Sequence, residues 1–284
     1  MTTDQQLKEL VKEKYSEIAD QSYEQNATSC CGASCGCSTI DSALMAENYT
    51  DLKGYSADAD LGLGCGLPTE FAQIKEGDTV IDLGSGAGND AFVARAIAGA
   101  SGKVIGVDMT EKMIQKAKIN AEKLGYANVS FRLGDIEDMP IASKVADVVV
   151  SNCVLNLVPN KKKAFDETFR VLKPGGHFSV SDIVLVGELP ENLKQAAEMY
   201  AGCVSGAIQK ELYIQIVKDA GFTNLSLQKE KDIIIPEEIL KNYLSAVEIE
   251  KFRESKARIV SITLYAERPL IEKEKTCCGP DCCN

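Results

Sequence analysis

Three isolated cysteines stand in segments where a thiol could do chemistry. Cys65 lies in the glycine-rich stretch LGLGCGLP, Cys153 follows the apolar run VVVSN, and Cys203 lies among small residues in AGCVSG. A single cysteine is most often a small buried hydrophobic residue. Thiolates that converge on one crevice, however, form a ligand set that selects a soft metal or metalloid. Cys153 follows what is predicted to be a buried parallel strand, at the end where open α/β sheets bind ligands.

Two clusters hold the other eight of the eleven cysteines. Cys30, Cys31, Cys35 and Cys37 lie in SCCGASCGCS, and Cys277, Cys278, Cys282 and Cys283 lie in TCCGPDCCN. Disulfides are rare in the cytoplasm, so this cysteine content favours metal, metalloid or redox chemistry. The two clusters could trap a metalloid, bind zinc or relay reducing equivalents, and their spacing differs from the common C-x2-C zinc knuckles.

A glycine loop in VIDLGSGAGND predicts a cofactor site. Gly84, Gly86 and Gly88 follow a short apolar strand and precede a helix, so the backbone can approach a ligand closely. Asp82 lies at the end of that strand, and Asp108 ends the next one, where a carboxylate can accept hydrogen bonds from ribose hydroxyls. The spacing D-L-G-S-G-A-G differs from the G-x-G-x-x-G loop of nicotinamide dinucleotide sites.

The elements that position these residues alternate between strand and helix from residue 78 onward. Apolar runs predict strands in TVIDLG, KVIGVDM, VSFRLGD, VADVVVSN and GHFSVSDIVLV, and helical periodicity predicts helices in NDAFVARAIAG, TEKMIQKAKINAEKLG and KKKAFDETFRVLKPGG. This alternation predicts an α/β fold with a mostly parallel, doubly wound sheet. Residues 5 to 25 are predicted to form one helix.

After residue 188 the alternation stops, and the sequence predicts a smaller α+β C-terminal region. Helices are predicted in ENLKQAAEMYAGCVSGAI, QKELYIQIVKDAGF and PEEILKNYL, and strands in LSLQKEKDIII and RIVSITLYAERP. We therefore divide the chain into an N-terminal helix and Cys-rich segment (1–68), a cofactor-binding core (69–187), the C-terminal α+β region (188–268) and a flexible Cys-rich tail (269–284).

Composition and net charge argue against some classes of binding partner. The net charge of −11 and a pI near 4.8 argue against nucleic acid, because its phosphates would be repelled. No apolar run approaches the roughly 20 residues of a membrane span. The N-terminus is charged and amphipathic and lacks the apolar core of a signal peptide. We expect a cytoplasmic protein, with a monomer as the default state.

The combination of glycine loop, Asp108, the segment RLGDIEDMP and the later FDETFRVLKPGG resembles the class I methyltransferases that use S-adenosylmethionine. The resemblance covers roughly residues 70 to 186 and implies a Rossmann-like fold. It also implies a set of cofactor-binding residues, which runs from the methionine end through the ribose to the adenine. These residues are Asp82, Gly84, Ser85, Gly86, Asp108, Met109, Asp135 and Ile136, with Asn152 beside the sulfonium.

The contexts C-G-L-P, S-N-C-V-L-N-L-V and A-G-C-V-S-G-A resemble the arsenite methyltransferases over most of residues 40 to 268. The resemblance implies that thiolates of Cys65, Cys153 and Cys203 hold trivalent arsenic, either as arsenite or as a thiol conjugate. It also implies an N-terminal cysteine that pairs with the first of these during redox cycling. Position favours Cys35 or Cys37. A thiol reductant of thioredoxin or glutathione type would then act as co-substrate.

The scarcity of candidate bases fits a nucleophile that carries no proton, such as the lone pair of thiolate-bound arsenic. The only histidine, His177, begins an apolar strand, and Asp182 is the other candidate base. Two alternatives stay open. One is a methyltransferase acting on carbon, nitrogen or oxygen of another small molecule, and the other is a non-catalytic metalloid-binding protein on the same fold.

Overall fold

Helices and strands alternate through the described residues, which are 4–21, 47–188, 206–234, 237, 240–241 and 244–270 of this computed structural model. The helices are Asp4–Ala19 (α1), Pro68–Phe71 (α2), Asn89–Ala98 (α3), Glu111–Lys123 (α4), Lys161–Val171 (α5), Lys210–Asp219 (α6) and Ala246–Glu254 (α7). The strands are Thr79–Leu83 (β1), Lys103–Asp108 (β2), Val129–Leu133 (β3), Ala146–Asn152 (β4), Leu172–Val186 (β5), Thr223–Ile233 (β6) and Arg258–Glu267 (β7). A short 3-10 turn, Leu155–Leu157, follows β4. No described helix combines the length and the apolar character that crossing a bilayer requires.

The strands of the described residues form one sheet in the order β3-β2-β1-β4-β5-β7-β6. Neighbours from β3 to β5 run parallel, whereas β7 runs antiparallel to both β5 and β6. Strands β1, β2 and β4 are almost entirely buried, as expected for apolar strands that carry helices on both faces. The predicted α/β fold with a mostly parallel sheet is confirmed.

The chain reverses its winding between β1 and β4, which lie side by side at the centre of the sheet. Strands β2 and β3 follow on one side of β1, and β5 lies on the other side of β4. The connections after β1 and β4 therefore diverge and open a crevice at the carboxyl ends of the strands. Leu83 pairs with Ser151 at this edge, so the glycine loop after β1 begins beside Asn152 and Cys153.

Two apolar clusters cover the two faces of the sheet. On one face, Phe165 of α5 and Tyr213 of α6 pack edge to face, and Phe165 also contacts Phe178 of β5. On the other face, Phe92 of α3 packs edge to face on Phe131 of β3. Such dense packing on both sides gives the crevice a rigid floor.

The C-terminal strands extend the sheet of the cofactor-binding core. Strand β7 pairs with β5 along ten residues, from His177 opposite Glu267 to Val186 opposite Arg258. Residues 191–205 of the predicted helix that contains Cys203 lie outside the described residues, and its last three residues, 206–208, are not helical. The division of the chain at residue 188 stays a prediction, and the sheet itself runs across it.

Several elements differ from the predicted ones. Helix α1 ends at Ala19 and not at residue 25. Strand β5 begins at Leu172, so the KPGG segment that was expected to end a helix belongs to the strand, where the N–H of Gly175 donates to the carbonyl of Arg268. Helix α7 was not predicted, although Ser245 and Glu248 form a capping box at its start. The spacing S-x-x-E is a recognised signal for a helix start, so the sequence did contain this information.

A buried arginine fastens the end of α5 to β7. Arg268 is 3% exposed, and its Nη1 donates to the carbonyls of Phe169 and Leu172, both at 2.7 Å. The guanidinium also lies 4.4 Å from the ring centre of Phe169. Arg268 therefore satisfies carbonyls that the end of a helix leaves without partners.

We expect Arg268→Ala to lower the free energy of unfolding by about 3 kcal/mol, because buried carbonyls would lose a charged donor. Urea denaturation measures this change. Arg253→Ala is the matched control, since Arg253 forms an exposed ion pair with Glu237 and its loss should have no measurable effect. Equal stability of the two variants would contradict the role of Arg268.

Candidate active site

A pocket occupies the crevice at the carboxyl ends of β1, β2 and β4. It contains about 1010 Å3 of empty space, including its open mouth, which is enough for a ligand of nucleoside size. The nine residues predicted to bind the cofactor all line it: Asp82, Gly84, Ser85, Gly86, Asp108, Met109, Asp135, Ile136 and Asn152. Their individual roles toward a cofactor stay predictions, and the structure places them around one cavity.

The glycine loop after β1 fits closely against the segment that follows β4. Gly84 has a φ of +63°, and a Cβ at this position would lie 2.3 Å from Cγ2 of Val154. Gly86 has a φ of +51° and faces open space. The loop therefore leaves room for a ligand over Gly86, while Gly84 holds the backbone against the residue next to Cys153.

Asp108 and Asp135 lie at the end of the pocket formed by β2 and β3. Asp108 accepts hydrogen bonds from the N–H of Thr110 at 2.8 Å and from the N–H of Gly86 at 3.0 Å. Burial raises the pKa of Asp108, and these two donors oppose the shift. A carboxylate offers about four lone-pair sites, so Asp108 can still accept from a ribose hydroxyl.

Asp82 is a buried carboxyl at the carboxyl end of β1. The residue is 2% exposed, and Oδ2 has no hydrogen-bond partner among the described residues. Burial raises the pKa of Asp82 well above its ordinary value, and repulsion from Asp90 and Asp108 adds to the effect. A buried acceptor of this kind is stabilised by a cationic or hydrogen-donating ligand. The sulfonium and ammonium groups of S-adenosylmethionine match this requirement, so the residues present fit the implied cofactor.

Helix α1 covers part of the pocket. Val11 and Tyr15 line the cavity, and Val11 packs in the same apolar cluster as Cys65 and Cys153. Lys8 of the same helix bridges Asp135 at 2.6 Å and Glu137 at 2.7 Å. A ligand that binds near Asp135 therefore lies beneath an ordered helix, which limits its exposure to water.

Cys153 lines the β1–β4 end of the pocket, and Cys65 lies directly behind it, bonded to it but not among the lining residues. Their sulfurs form a disulfide in this structure, and their Cα atoms are 5.8 Å apart. Cys153 has a φ of +58°, and its N–H donates to the carbonyl of Ser181 at 2.8 Å. Both residues are at least 96% buried, so the pair lies against the pocket wall away from bulk water.

A polar network fastens the loop of Cys65 to the end of β4. The amide oxygen of Asn152 accepts from the N–H of Cys65 at 3.0 Å, and its Nδ2 donates to the carbonyl of Gly66 at 2.8 Å. Asn152 also donates to Oδ2 of Asp90 at 3.2 Å and to the hydroxyl of Tyr49. Burial raises the pKa of Asp90 to about 6, although donation from Asn152 and Tyr49 opposes the shift.

Two glycines on either side of Cys65 allow this contact. A Cβ on Gly64 would lie 2.6 Å from Nδ2 of Asn152, and a Cβ on Gly66 would lie 2.5 Å from Oγ of Ser181. Side chains at either position would push the loop away from β4 and β5. The sequence L-G-C-G already contained this signal, but it did not identify the strands that the loop approaches.

Several pocket residues were not predicted from the sequence. Tyr49 and Asp90 join the Asn152 network, and Lys8, Val11 and Tyr15 belong to the covering helix. Asp90 follows the glycine loop directly, in the first turn of α3, so its position was a usable signal. Tyr49 and α1 are remote in sequence from every motif, and nothing local indicates their contacts.

The two candidate bases lie away from the pocket. His177 pairs with Val148 near the opposite edge of the sheet, and its Nε2 lies 2.6 Å from the carbonyl of Ala72. Asp182 is fully buried, accepts from the hydroxyl of Tyr213 at 3.1 Å and does not line the cavity. Burial raises its pKa to about 7, and the nearby charge of Lys161 opposes that shift. Neither residue belongs to the described lining of the pocket.

Three predicted site residues, Cys35, Cys37 and Cys203, lie outside the described residues, as do both cysteine clusters. Within the described ranges, no group of three or more histidine, cysteine or acidic side chains has the arrangement of a metal site. The structure thus brings together two of the three thiols predicted to hold arsenic.

The known proteins that this chain resembles in sequence and structure are methyltransferases. Residues 74–221 match the family model of a methyltransferase domain. An arsenite methyltransferase of Halobacterium salinarum is 37% identical over 277 residues, or 93% of this chain and 67% of the relative. A second, from Aquipseudomonas alcaligenes, is 34% identical over 84% of this chain and 68% of the relative. The crystal structure of an arsenic(III) S-adenosylmethionine methyltransferase from Chlamydomonas reinhardtii superposes with a TM-score of 0.60 at 34% identity, over 71% of this chain and 66% of that one.

The parallel sheet, its glycine loop and the acidic pocket define a class I methyltransferase that depends on S-adenosylmethionine. The relatives resolve the class further, because the arsenite methyltransferase of Halobacterium salinarum matches 93% of this chain. The chain belongs to the arsenite methyltransferase family.

We expect Gly64→Ala to weaken binding of S-adenosylmethionine by roughly tenfold or more, because the new methyl group would displace the Asn152 amide in the pocket wall. Isothermal titration calorimetry measures the affinity. Gly125→Ala is the control, since a Cβ there meets nothing within 4 Å. That variant should lose some stability from its backbone conformation and bind normally. Unchanged affinity in Gly64→Ala would show that the loop can move without disturbing the pocket.

Proposed function

We propose that this protein transfers methyl groups from S-adenosylmethionine to trivalent arsenic held by cysteine thiolates, producing methylated arsenicals and S-adenosylhomocysteine. The observation that carries the proposal is the adjacency of Cys65 and Cys153 at the edge of the cofactor pocket. An acceptor bound to these sulfurs lies next to Asn152, at the end of the pocket away from Asp108 and Asp135. The family relationship supports arsenic as the element bound there.

Different pocket residues would bind different parts of the cofactor. Asp108 would accept from the ribose, Met109, Asp135 and Ile136 would flank the adenine, and Asp82 with the Gly84–Gly86 loop would hold the methionine portion. When bound, S-adenosylmethionine supplies a methyl group on a positively charged sulfur. Helix α1 would exclude water from the thiol end of the pocket, because its Val11 packs in the apolar cluster that contains the two cysteines.

Arsenic binding requires the two cysteines as thiols. Reduction of the Cys65–Cys153 disulfide takes two electrons and two protons, and a thiol reductant of thioredoxin or glutathione type would supply both while forming its own disulfide. Each thiol then replaces a hydroxide on arsenite, and its proton leaves with that hydroxide as water. A thiol conjugate of arsenite would bind by exchange of its thiols. Soft arsenic favours thiolate ligands over oxygen, which favours this exchange.

Cys203 would provide the third sulfur, and Cys35 or Cys37 would take part in the redox cycle. Arsenic bound to three sulfurs is pyramidal, with its lone pair opposite them. That lone pair carries no proton, so no general base is needed, and neither His177 nor Asp182 faces the pocket. Catalysis would rest on proximity and orientation of the acceptor against the sulfonium. Because arsenic binding requires reduced thiols, a cytoplasmic location is favoured. We propose that the protein acts as a monomer.

We expect Cys65→Ser, Cys153→Ser and Cys203→Ser each to lower the rate of arsenite methylation by about a hundredfold or more, because a hydroxyl is a poor ligand for arsenic and the acceptor would lose its position. Mass analysis of arsenic products, with S-adenosylmethionine and a thiol present, measures the rate. Each variant should bind S-adenosylmethionine normally. Cys282→Ser, in the C-terminal cluster, is the control and should retain most of the activity.

Nearly unchanged turnover in Cys65→Ser and Cys153→Ser would contradict thiolate ligation at this site. Release of S-adenosylhomocysteine that does not depend on arsenite would indicate another methyl acceptor. Failure of the wild type to release any S-adenosylhomocysteine with arsenite and a thiol would instead indicate a metalloid-binding protein without catalysis.

A further inference from the structure

Two hydroxyl side chains lie in the middle of strand β7, which is otherwise buried and largely apolar. Ser261 and Thr263 are two positions apart, so their side chains lie on the same face of the sheet. Ser261 is 6% exposed and Thr263 is 1% exposed. Because a buried hydroxyl needs a hydrogen-bond partner, each of these side chains must face a polar group.

The partner of Ser261 is the backbone of Cys65. Oγ of Ser261 donates to the carbonyl of Cys65 at 2.7 Å, although the two residues are 196 positions apart in the chain. The N–H of Cys65 donates to the amide oxygen of Asn152 at 3.0 Å. Both backbone polar groups of Cys65 are therefore held by side chains, one from β4 and one from β7.

The residue after Cys65 packs on the same part of the sheet. Oγ of Ser181 and Oγ1 of Thr263 share a hydrogen bond of 2.9 Å. A Cβ on Gly66 would lie 2.5 Å from Oγ of Ser181 and 3.5 Å from Oγ1 of Thr263. The carbonyl of Ser181 also accepts from the N–H of Cys153 at 2.8 Å. Strands β5 and β7 therefore contact both thiol-bearing segments from outside the pocket.

Reduction of the disulfide removes the covalent link between these two segments. Ser261 and Asn152 bond to the backbone of Cys65 and not to its sulfur, so these hydrogen bonds do not require the disulfide. In the thiol state, the separation of the two sulfurs depends on such contacts. A ligand that needs both sulfurs binds more tightly when their positions are fixed in advance.

We propose that Ser261 is a positioning residue, which holds the Cys65 thiol at the distance from Cys153 that arsenic binding requires. This inference rests on the proposed function and brings a residue of the last strand, β7, to the arsenic site. Ser261 acts through the carbonyl of Cys65 and does not belong to the described lining of the pocket. Its loss therefore affects the binding of arsenite and spares that of S-adenosylmethionine.

The test measures steady-state methylation by the full-length reduced protein, with arsenite and S-adenosylmethionine varied in turn. We expect Ser261→Ala to raise the KM for arsenite about fivefold, the effect of one neutral hydrogen bond, and to change the KM for S-adenosylmethionine less than about twofold. Isothermal titration calorimetry with arsenite alone should show the same loss of affinity. A role in folding alone would instead lower kcat, through a smaller active fraction, and leave both KM values unchanged.

Ser179→Ala is the matched control. Ser179 lies on β5, is fully buried, and donates from Oγ to the carbonyl of Pro68 at 2.8 Å. This variant loses the same kind of hydrogen bond between the sheet and the loop, but to a residue that carries no thiol. It should keep the wild-type KM for arsenite, even if its stability falls as much as that of Ser261→Ala.

An unchanged arsenite affinity in Ser261→Ala, or an equal rise in the KM values for arsenite and cofactor, would overturn the inference and leave the proposed function intact. An equal rise in the KM for arsenite in Ser179→Ala would also overturn it, because anchoring of the whole loop would then explain the effect. Failure of the reduced wild type to bind arsenite would overturn the proposed function together with this inference.

Discussion

The amide side chain of Asn152 joins the loop of Cys65 to the end of β4. Its oxygen accepts from the N–H of Cys65 and its nitrogen donates to the carbonyl of Gly66. Because Cys153 is the next residue in the chain, this one side chain sets the separation of the two thiols. The flanking glycines leave no space for movement of the loop toward Asn152, since a Cβ on Gly64 would overlap the amide. The separation of the two thiols is therefore set mainly by the rigid sheet, through Asn152, and less by the loop that carries Cys65.

At this edge of the sheet, carboxylates that could bind a cation lie close to a pair of thiols that could bind a soft acceptor. Under the proposed function, carboxylates of β1 and α3 would attract the cationic donor, while the sulfurs of Cys65 and Cys153 would bind a soft acceptor. A methyl transfer between such partners needs no proton transfer, so the molecule can leave its one histidine on the far side of the sheet. Binding and orientation then supply most of the rate enhancement. The Val154 contact with Gly84 couples the two halves, because the cofactor loop and the thiol segment touch directly.

Much of this arrangement could be predicted from the sequence, for identifiable reasons. Buried parallel strands are apolar along most of their length, so β1, β2 and β4 are visible as runs, and motifs at or near their ends place Asp82, Asp108 and Asn152. The contacts of Tyr49 and α1 could not be predicted, because they join segments that are remote along the chain and share no periodic pattern. The start of β5 was misplaced because Gly175 and Gly176 of its KPGG segment pair with Arg268, which follows β7 and is remote along the chain. Local sequence determines where helices and strands form, whereas pairing with distant segments determines where they begin and end.

The proposed function depends most directly on ligation of arsenic by the sulfurs of Cys65 and Cys153. X-ray absorption at the arsenic edge, on the reduced protein with one equivalent of arsenite and no methyl donor, counts the sulfur neighbours of arsenic. We predict an all-sulfur shell in the wild type and the loss of one sulfur in Cys153→Ser, with Cys282→Ser unchanged. An oxygen shell in the wild type, or a sulfur shell that Cys65→Ser and Cys153→Ser leave intact, would contradict the account.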